Sequence, residues 1–170
     1  MSTSFNVATL VLRVAIGVVF VAHGFRHFNR RAKTMEWISS IGLQAPAMQW
    51  AFMSLGELAV GVGMLAGFLT APAAAGVVAL MFGAFWTVHR FAGFFVTARP
   101  DEGYEYVAML VAGALALALI GPGEWSLDHA LDIGIAGRNA LIITAFGFVA
   151  GVGQVALFYR PGQLKRGSAG

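Results

Sequence analysis

Hydrophobic positions fall into five long runs along this chain, separated by short polar segments. The runs cover about residues 7–25, 50–69, 73–95, 104–120 and 140–159. An apolar run of about 20 residues is long enough to cross the roughly 30 Å hydrocarbon layer of a bilayer as a helix. The pattern therefore predicts an all-α, polytopic bundle of transmembrane helices.

The connections between the runs are short. Residues 26–49 are basic and amphipathic, and they predict a short helix at the membrane interface that ends before Gly42 and Pro46. The apolar face of that helix consists of Met35, Trp37, Ile38 and Ile41. Residues 70–72 are too few for anything but a tight hairpin, so spans two and three run antiparallel.

Small residues recur at four-residue spacing in two of the spans. These are the pair Gly63 and Gly67 in span two and the pair Gly147 and Gly151 in span five. Small residues at this spacing allow two membrane helices to approach closely. Both pairs are therefore predicted packing sites.

The basic residues predict how the chain is oriented. Five spans place the two ends on opposite sides, and cytoplasmic loops carry an excess of Lys and Arg. Arg13 is embedded in span one and Arg138 lies in the one basic loop on the other side. Nine of the 11 basic residues share one side, namely Arg26, Arg30, Arg31, Lys33, Arg90, Arg99, Arg160, Lys165 and Arg166. We therefore expect a multi-pass protein of the plasma membrane with its N-terminus outside and its C-terminus in the cytoplasm.

Composition narrows the possible chemistry. The chain is 58% hydrophobic and 11% charged, whereas soluble domains carry about 25% charged residues. It has no cysteine, which excludes thiol chemistry and iron–sulfur ligation by this chain, and it has no motif for flavin or nicotinamide binding. The net charge of +3 comes from residues in the loops, so we predict contact with membrane lipids and no nucleic acid.

Several ionisable residues fall in the predicted cytoplasmic half of the bundle. They are His23 and His27 in span one, Glu57 in span two, His89 in span three and Glu105 at the start of span four. A charged side chain inside a membrane is costly and is a functional candidate by default. Glu57 is the strongest candidate, and a purely structural pairing of Glu57 with a His or Arg of a neighbouring helix is the competing interpretation.

Two further interpretations concern metal ligation and Arg13. His23 and His27 are four residues apart and lie on one helix face, so with His89 they form a weak candidate metal set. Solvated histidines at the membrane interface are the commoner arrangement. Arg13 lies roughly 15 Å from His23 along the helix axis and needs a partner. It either snorkels towards the outer surface or pairs inward with an acid, a carbonyl or a ligand.

Five segments of the sequence together resemble the DoxX family of small bacterial membrane proteins. They are residues 12–17 leading to 22–24, residues 41–46, 56–58, 103–106 and 121–128. The resemblance covers about residues 7–132 and implies a four-helix membrane bundle over residues 1–132. Residues 133–170 then form an additional transmembrane helix and a basic cytoplasmic tail. The resemblance also implies that Arg13, His23, Glu57 and Glu105 are the polar positions of interest, and the residue pattern adds His89.

The resemblance implies a redox setting, because one related subunit belongs to a thiosulfate:quinone oxidoreductase. We therefore expect an integral membrane subunit of a quinone-linked oxidoreductase complex, in which the His/Glu cluster binds a quinone or relays protons. The alternative is a non-catalytic accessory subunit that docks on a larger membrane complex. A transporter ranks third because no span is broken at its centre. Protein partners are expected, a homo-oligomer is compatible with the sequence, and we expect no autonomous enzyme.

Overall fold

The computed structural model describes residues 1–97 and 102–161, and every named secondary-structure element within these ranges is helical. The helices are α1 (Thr3–Asn29), α2 (Arg31–Ser40), α3 (Pro46–Ala66), α4 (Thr70–Ala84), a π-helical turn (Phe85–His89), α5 (Arg90–Ala92), α6 (Glu105–Ile120), α7 (Leu127–Ala130) and α8 (Gly137–Phe158). The predicted all-α membrane bundle is confirmed.

Four helical segments are long and apolar enough to cross a membrane. They are Thr3–Asn29, Pro46–Ala66, Thr70–Ala92 and Gly137–Phe158. The fourth predicted span is the apolar helix α6, which has 16 residues and is about 24 Å long at 1.5 Å per residue. It is therefore shorter than the other four.

Contacts between distant residues define two ends of the bundle. At one end, which we call the N-terminal end, Asn6 of α1 donates to the carboxylate of Glu124 just beyond α6. The backbone at the start of α4 also lies at this end, because Leu69 N donates to Asp128 beyond α6. Helix α1 therefore begins, α6 ends and α4 begins at the same end of the bundle.

The opposite end, which we call the histidine end, brings together the other helix termini. Trp50 in the first turns of α3 donates its indole N–H to the carbonyl of His27 near the end of α1, at 3.0 Å. Gln44, just before α3, donates its backbone N–H to the carbonyl of Phe158 at the end of α8. Since α1 and α8 end where α3 begins, successive long helices alternate in direction.

Glycine allows α1 and α3 to cross in close contact. A Cβ atom on Gly17 would lie 2.9 Å from the carbonyl oxygen of Gly61, and one on Gly24 would lie 2.9 Å from the backbone nitrogen of Leu58. Real Cβ atoms almost never make such short contacts. This crossing places His23 and His27 of α1 next to Glu57 of α3.

The two predicted glycine pairs have different fates. Gly147 and Gly151 of α8 lie against the backbone of Ala75 and Ala79 in α4, so the close packing predicted for this pair is present. Gly67 instead ends α3 with a left-handed φ of 61°. The prediction of helix packing through Gly67 is therefore wrong, because this residue faces the guanidinium of Arg13 and Ser126 in a loop.

The hairpin between α3 and α4 comes three residues earlier than predicted. Gly67 and Leu69 both take positive φ, which turns the chain, and α4 already begins at Thr70. Pro72 therefore lies in the first turn of α4, where the missing backbone N–H costs no helical hydrogen bond.

Helix α2 is the short amphipathic helix predicted between spans one and two. It buries Ile38 and Thr34 and exposes Trp37 together with its basic side chains. Arg99, Lys165 and Arg166, which contribute to the charge argument for orientation, lie outside the described residues. The orientation of the chain across the membrane stays a prediction.

Candidate functional site

A cavity of about 580 Å³ lies at the histidine end of the bundle. Its polar lining includes His23, Arg26, His27, Arg30, Lys33, Gln49, Glu57, Thr87, His89, Glu102, Tyr106 and Gln154. Its apolar lining includes Trp37, Ile38, Ile41, Leu43, Met53, Leu80, Met81, Val88 and Val155. The cavity therefore combines an apolar wall with a concentrated set of titratable groups.

The centre of the polar lining is an ion pair between two helices. Nδ1 of His27 lies 2.8 Å from Oε2 of Glu57, and the Glu57 side chain is buried with 6% of the residue exposed. A buried carboxylate needs a hydrogen-bonding partner to offset its desolvation. His27 is that partner, so Glu57 pairs with a histidine of a neighbouring helix and forms a carboxyl–imidazole pair in the cavity lining.

Three residues hold His27 in place. Its carbonyl accepts the Trp50 indole N–H at 3.0 Å and the Thr34 hydroxyl at 3.3 Å. Its imidazole stacks on the Trp37 ring, with an interplanar angle of 10° and 6.3 Å between ring centroids. Helix α2 therefore orients the His27 ring toward Glu57.

The other two histidines of the cavity flank this pair. The His23 ring lies edge-on to the His27 ring at 5.9 Å between centroids. Nδ1 of His89 lies 2.6 Å from the carbonyl oxygen of Glu102, so Nδ1 donates this hydrogen bond. The His89 ring also meets the Tyr106 ring edge-on at 5.9 Å.

A π-helical turn positions His89. Residues Phe85–His89 form this turn between α4 and α5, and Thr87, Val88 and His89 from it line the cavity. Such turns insert one residue into a helix and occur often at functional sites. The π-helical turn therefore explains how the end of the third span faces the cavity.

The mouth of the cavity is basic. Arg26, Arg30 and Lys33 line it and are exposed, while the exposed Glu102 is the acidic residue on the rim. Cationic rims raise the local concentration of anions and favour anionic groups near the opening. Buried Glu57 places negative charge deeper in the cavity.

Two sequence-predicted candidates lie outside this cavity. The carboxylate of Glu105 accepts the backbone N–H of Val96 at 2.8 Å, so it fastens the segment before α6, while the neighbouring residue Tyr106 lines the cavity. Arg13 lies in the N-terminal half of α1, and its guanidinium donates to the carbonyl of Trp125 at the other end of the bundle. The predicted carbonyl partner of Arg13 is therefore present.

The sequence did not single out Asp128, which is the main anchor of the N-terminal end. Its two carboxylate oxygens accept the backbone N–H groups of Leu69 and Thr70 at 2.6 and 2.8 Å. Its negative charge also acts favourably on buried Arg13. Asp128 falls within a segment that carried the family resemblance, which is the signal that could have identified it.

The weak metal set is not assembled as such. Within residues 1–97 and 102–161, no group of three or more His, Asp or Glu side chains is placed to hold a metal ion. Among the three histidines of the cavity, His23 and His27 are neighbours, whereas His89 pairs with the Glu102 carbonyl.

Comparisons with known proteins place the chain in a family. The DoxX family model matches residues 8–90. A protein of Bacillus subtilis (strain 168) named "Putative oxidoreductase CatD" is 31% identical over 128 residues, which cover 75% of this chain and 90% of that protein. The chain belongs to the DoxX family. "Inner membrane protein YqjF" of Escherichia coli (strain K12) is 26% identical over 132 residues, covering 75% of this chain and 94% of that protein. No solved structure gives a significant match.

The family match covers part of the cavity of this DoxX protein. His23, His27, Glu57 and His89 all fall within residues 8–90, whereas Tyr106 and Gln154 lie beyond them. The membrane-spanning helices and the relative from the inner membrane agree with an inner-membrane location.

The arrangement brings a carboxyl–imidazole pair and apolar side chains together around one cavity. A carboxyl–imidazole pair shares a proton that can pass to or from a bound oxygen within hydrogen-bond reach. Histidine is suited to this because its ordinary pKa lies near physiological pH. The apolar walls limit water, and the basic mouth connects the pair to solvent.

Proposed function

We propose that this DoxX protein is the quinone-binding membrane subunit of an oxidoreductase complex. The observation that carries the proposal is the His27–Glu57 pair inside the cavity at the histidine end. An apolar cavity with a few convergent polar groups is the usual form of a small-molecule site. The name of the relative CatD, which describes an oxidoreductase, agrees with a redox role.

The cavity fits a quinone ring in size and chemistry. Its volume of about 580 Å³ lies within the roughly 300 to 1,000 Å³ typical of ligand pockets. Ile38, Met53, Leu80 and Val155 supply apolar surface for the ring and its substituents. Imidazole and carboxyl groups supply hydrogen bonds for ring oxygens.

Reduction of a quinone to a quinol takes up two electrons and two protons. The described residues hold no redox cofactor motif, so the proposal assigns the electrons to a donor cofactor on a partner subunit. This chain contributes the protons. His27 and Glu57 hold a proton next to an oxygen of the bound quinone ring. The ring centroid of His23 lies 5.9 Å from that of His27. His23 replaces the transferred proton of the His27–Glu57 pair from the basic mouth.

A specific observation also favours the accessory-subunit alternative. At the other end of the bundle, Arg13 and Asp128 bind backbone groups of Trp125, Leu69 and Thr70, so buried charged residues of this protein also have structural contacts. If Glu57 and His27 have the same purely structural role, the protein supports a complex without binding a quinone. Ligand retention by a Glu57 variant separates the two functions.

The test is gentle detergent purification from the native membrane, followed by mass spectrometry of bound quinones and copurifying proteins. Glu57→Gln keeps the size of the side chain but removes the acid, and we expect it to carry at least about fivefold less quinone than wild type, the order expected for a lost hydrogen bond to a charged group. Glu36→Gln is the matched control, because Glu36 is exposed on α2 and does not line the cavity.

The outcomes decide between the functions. Quinone on wild type and on Glu36→Gln, with loss in Glu57→Gln, supports the quinone-binding subunit. A wild-type protein that carries no quinone but retains the same large complex in both variants refutes it and supports the accessory subunit.

A further inference from the structure

The cavity holds a second polar group at a distance from the His/Glu pair. Gln49, near the start of α3, lines the cavity and is buried with 2% of its surface exposed. Its amide nitrogen has no hydrogen-bond partner within the residues that the structure describes. A buried amide donor without a partner is costly, and such a donor on a residue that lines a cavity points to a ligand.

Helix α8 fixes the orientation of this amide. Nε2 of Gln154 donates to Oε1 of Gln49 at 2.7 Å. This bond occupies the oxygen of the Gln49 amide and leaves its N–H groups to a different partner. An amide in this state offers donors alone, so it selects a ligand with an acceptor oxygen.

The surroundings leave room for the pair. Gly83 of α4 also lines the cavity, and a Cβ atom there would lie 3.1 Å from Oε1 of Gln154. A larger side chain at position 83 would push Gln154 toward Gln49 or out of the cavity. Glycine at position 83 therefore leaves space for the hydrogen bond between Gln154 and Gln49.

The spacing along α3 separates the two polar groups. Gln49, Met53 and Glu57 are four residues apart and all line the cavity, so they form one stripe with about 12 Å of helical rise between the first and the last. Met53 supplies apolar surface between them. A ligand that fills the cavity thus meets an amide donor on one side of Met53 and the carboxyl–imidazole pair on the other.

We propose that Gln49, oriented by Gln154, is the specificity-determining residue of the cavity and donates a hydrogen bond to a carbonyl oxygen of the bound ring. This inference rests on the proposed function and specifies its ligand class. The ligand is a ring compound with two carbonyl groups rather than a plain hydrocarbon or a lipid tail. It also makes α8 part of the site, although Gln154 lies beyond residues 8–90 matched by the family model.

The test uses two probes that differ in their carbonyl oxygens, namely menadione and 2-methylnaphthalene. Binding is measured by calorimetry with the full chain in nanodiscs, and empty nanodiscs give the background. We expect wild type to prefer menadione. Gln49→Met, which keeps the length and removes the donor, should weaken menadione binding about tenfold and leave 2-methylnaphthalene binding within about twofold.

Thermal unfolding without ligand separates a binding role from a structural one. Gln49→Met removes a buried donor that has no partner, but it also removes the oxygen that accepts from Gln154, so we expect its midpoint to fall no further than that of Gln154→Met, which loses the same hydrogen bond. Gln154→Met strips the buried Gln49 oxygen of its donor, so we expect a lower midpoint and a smaller loss of menadione affinity. A midpoint for Gln49→Met below that of Gln154→Met, with affinity for both probes falling together, would show that Gln49 is structural and would overturn the inference.

The two proposals fail in different ways. If wild type binds both probes equally, the cavity still accepts aromatic rings, but the role of Gln49 is refuted. If wild type binds neither probe, the inference and the quinone site are both refuted. If wild type prefers menadione and Gln49→Met has lost this preference, the inference is supported.

Discussion

Asp128 gives the sharpest prediction for stability. The residue is 2% exposed, and its carboxylate accepts the backbone N–H groups of Leu69 and Thr70 at 2.6 and 2.8 Å. Those N–H groups belong to the start of α4, where a helix has no internal acceptor for them. Asp128 thus caps α4 from the short helix α7.

The magnitude follows from the two hydrogen bonds. Hydrogen bonds to a charged group contribute about 1.5–3 kcal/mol each, and burial at 2% exposure leaves little solvent screening. Asp128→Ala should therefore lower the free energy of unfolding by roughly 3 to 6 kcal/mol. Asp128→Asn keeps one acceptor oxygen but loses the charge near Arg13, and we expect about half that loss.

The assay is unfolding in mixed micelles by titration with sodium dodecyl sulfate, followed by far-ultraviolet circular dichroism. Asp132→Asn is the matched control, because Asp132 is exposed just beyond α7 and should unfold like wild type. The expected order of stability is wild type and Asp132→Asn, then Asp128→Asn, then Asp128→Ala. An Asp128→Ala protein within about 0.5 kcal/mol of wild type, the ordinary range for surface substitutions, would refute the assignment of Asp128 as the cap of α4.

Two further predictions concern pH and orientation. Hydrogen bonds from the N-terminal ammonium and from Asn6 lower the pKa of Glu124 below its ordinary value of 4.5. This stabilisation is complete above that value and is lost as the pH falls through the lower pKa of the folded protein. The thermal midpoint of wild type should therefore decrease when the pH is lowered below about 5, and that of Glu124→Gln should decrease less. Equal pH profiles for the two proteins would contradict the contact. For orientation, the chain has no native cysteine. A membrane-impermeant maleimide should label Ala130→Cys in intact cells and Ser39→Cys after lysis alone, and the reverse pattern would overturn the predicted topology.

The apolar runs were sufficient to predict the long helices but not all of their bounds. The apolar runs located every long helix to within a few residues, since burial in a bilayer requires long uninterrupted apolar segments. The helix bounds differ from the predicted ones where the local backbone conformation determines them. Gly67 and Leu69 turn the chain before Thr70, and a run of hydrophobic letters carries no information about positive φ.

The candidate site was predicted in part. Alternation of the spans brought His23, His27, Glu57 and His89 to one end, and the cavity contains all four. Glu105 differs because adjacent residues on a helix point about 100° apart, so Tyr106 faces the cavity and Glu105 does not line it.

Other residues of interest could not be identified from the sequence because tertiary structure determines their partners. Gln49 is an uncharged polar residue near a helix start, which is an ordinary sequence feature until the amide of Gln154 is known to face it. Asp128 lies in the short helix α7, and its capping of α4 joins residues 59 positions apart. The intramembrane charge of Arg13 could be recognised from sequence, but the identity of its Trp125 partner could not.

The π-helical turn at Phe85–His89 affects how related chains should be aligned. One inserted residue rotates everything after it by about 100° relative to a regular α-helix. A relative with a regular helix would carry one residue fewer between Gly83 and the following loop. Gap-free alignment would then pair His89 with a residue that points away from the cavity, so the presence of histidine at this site has to be judged by register rather than by column.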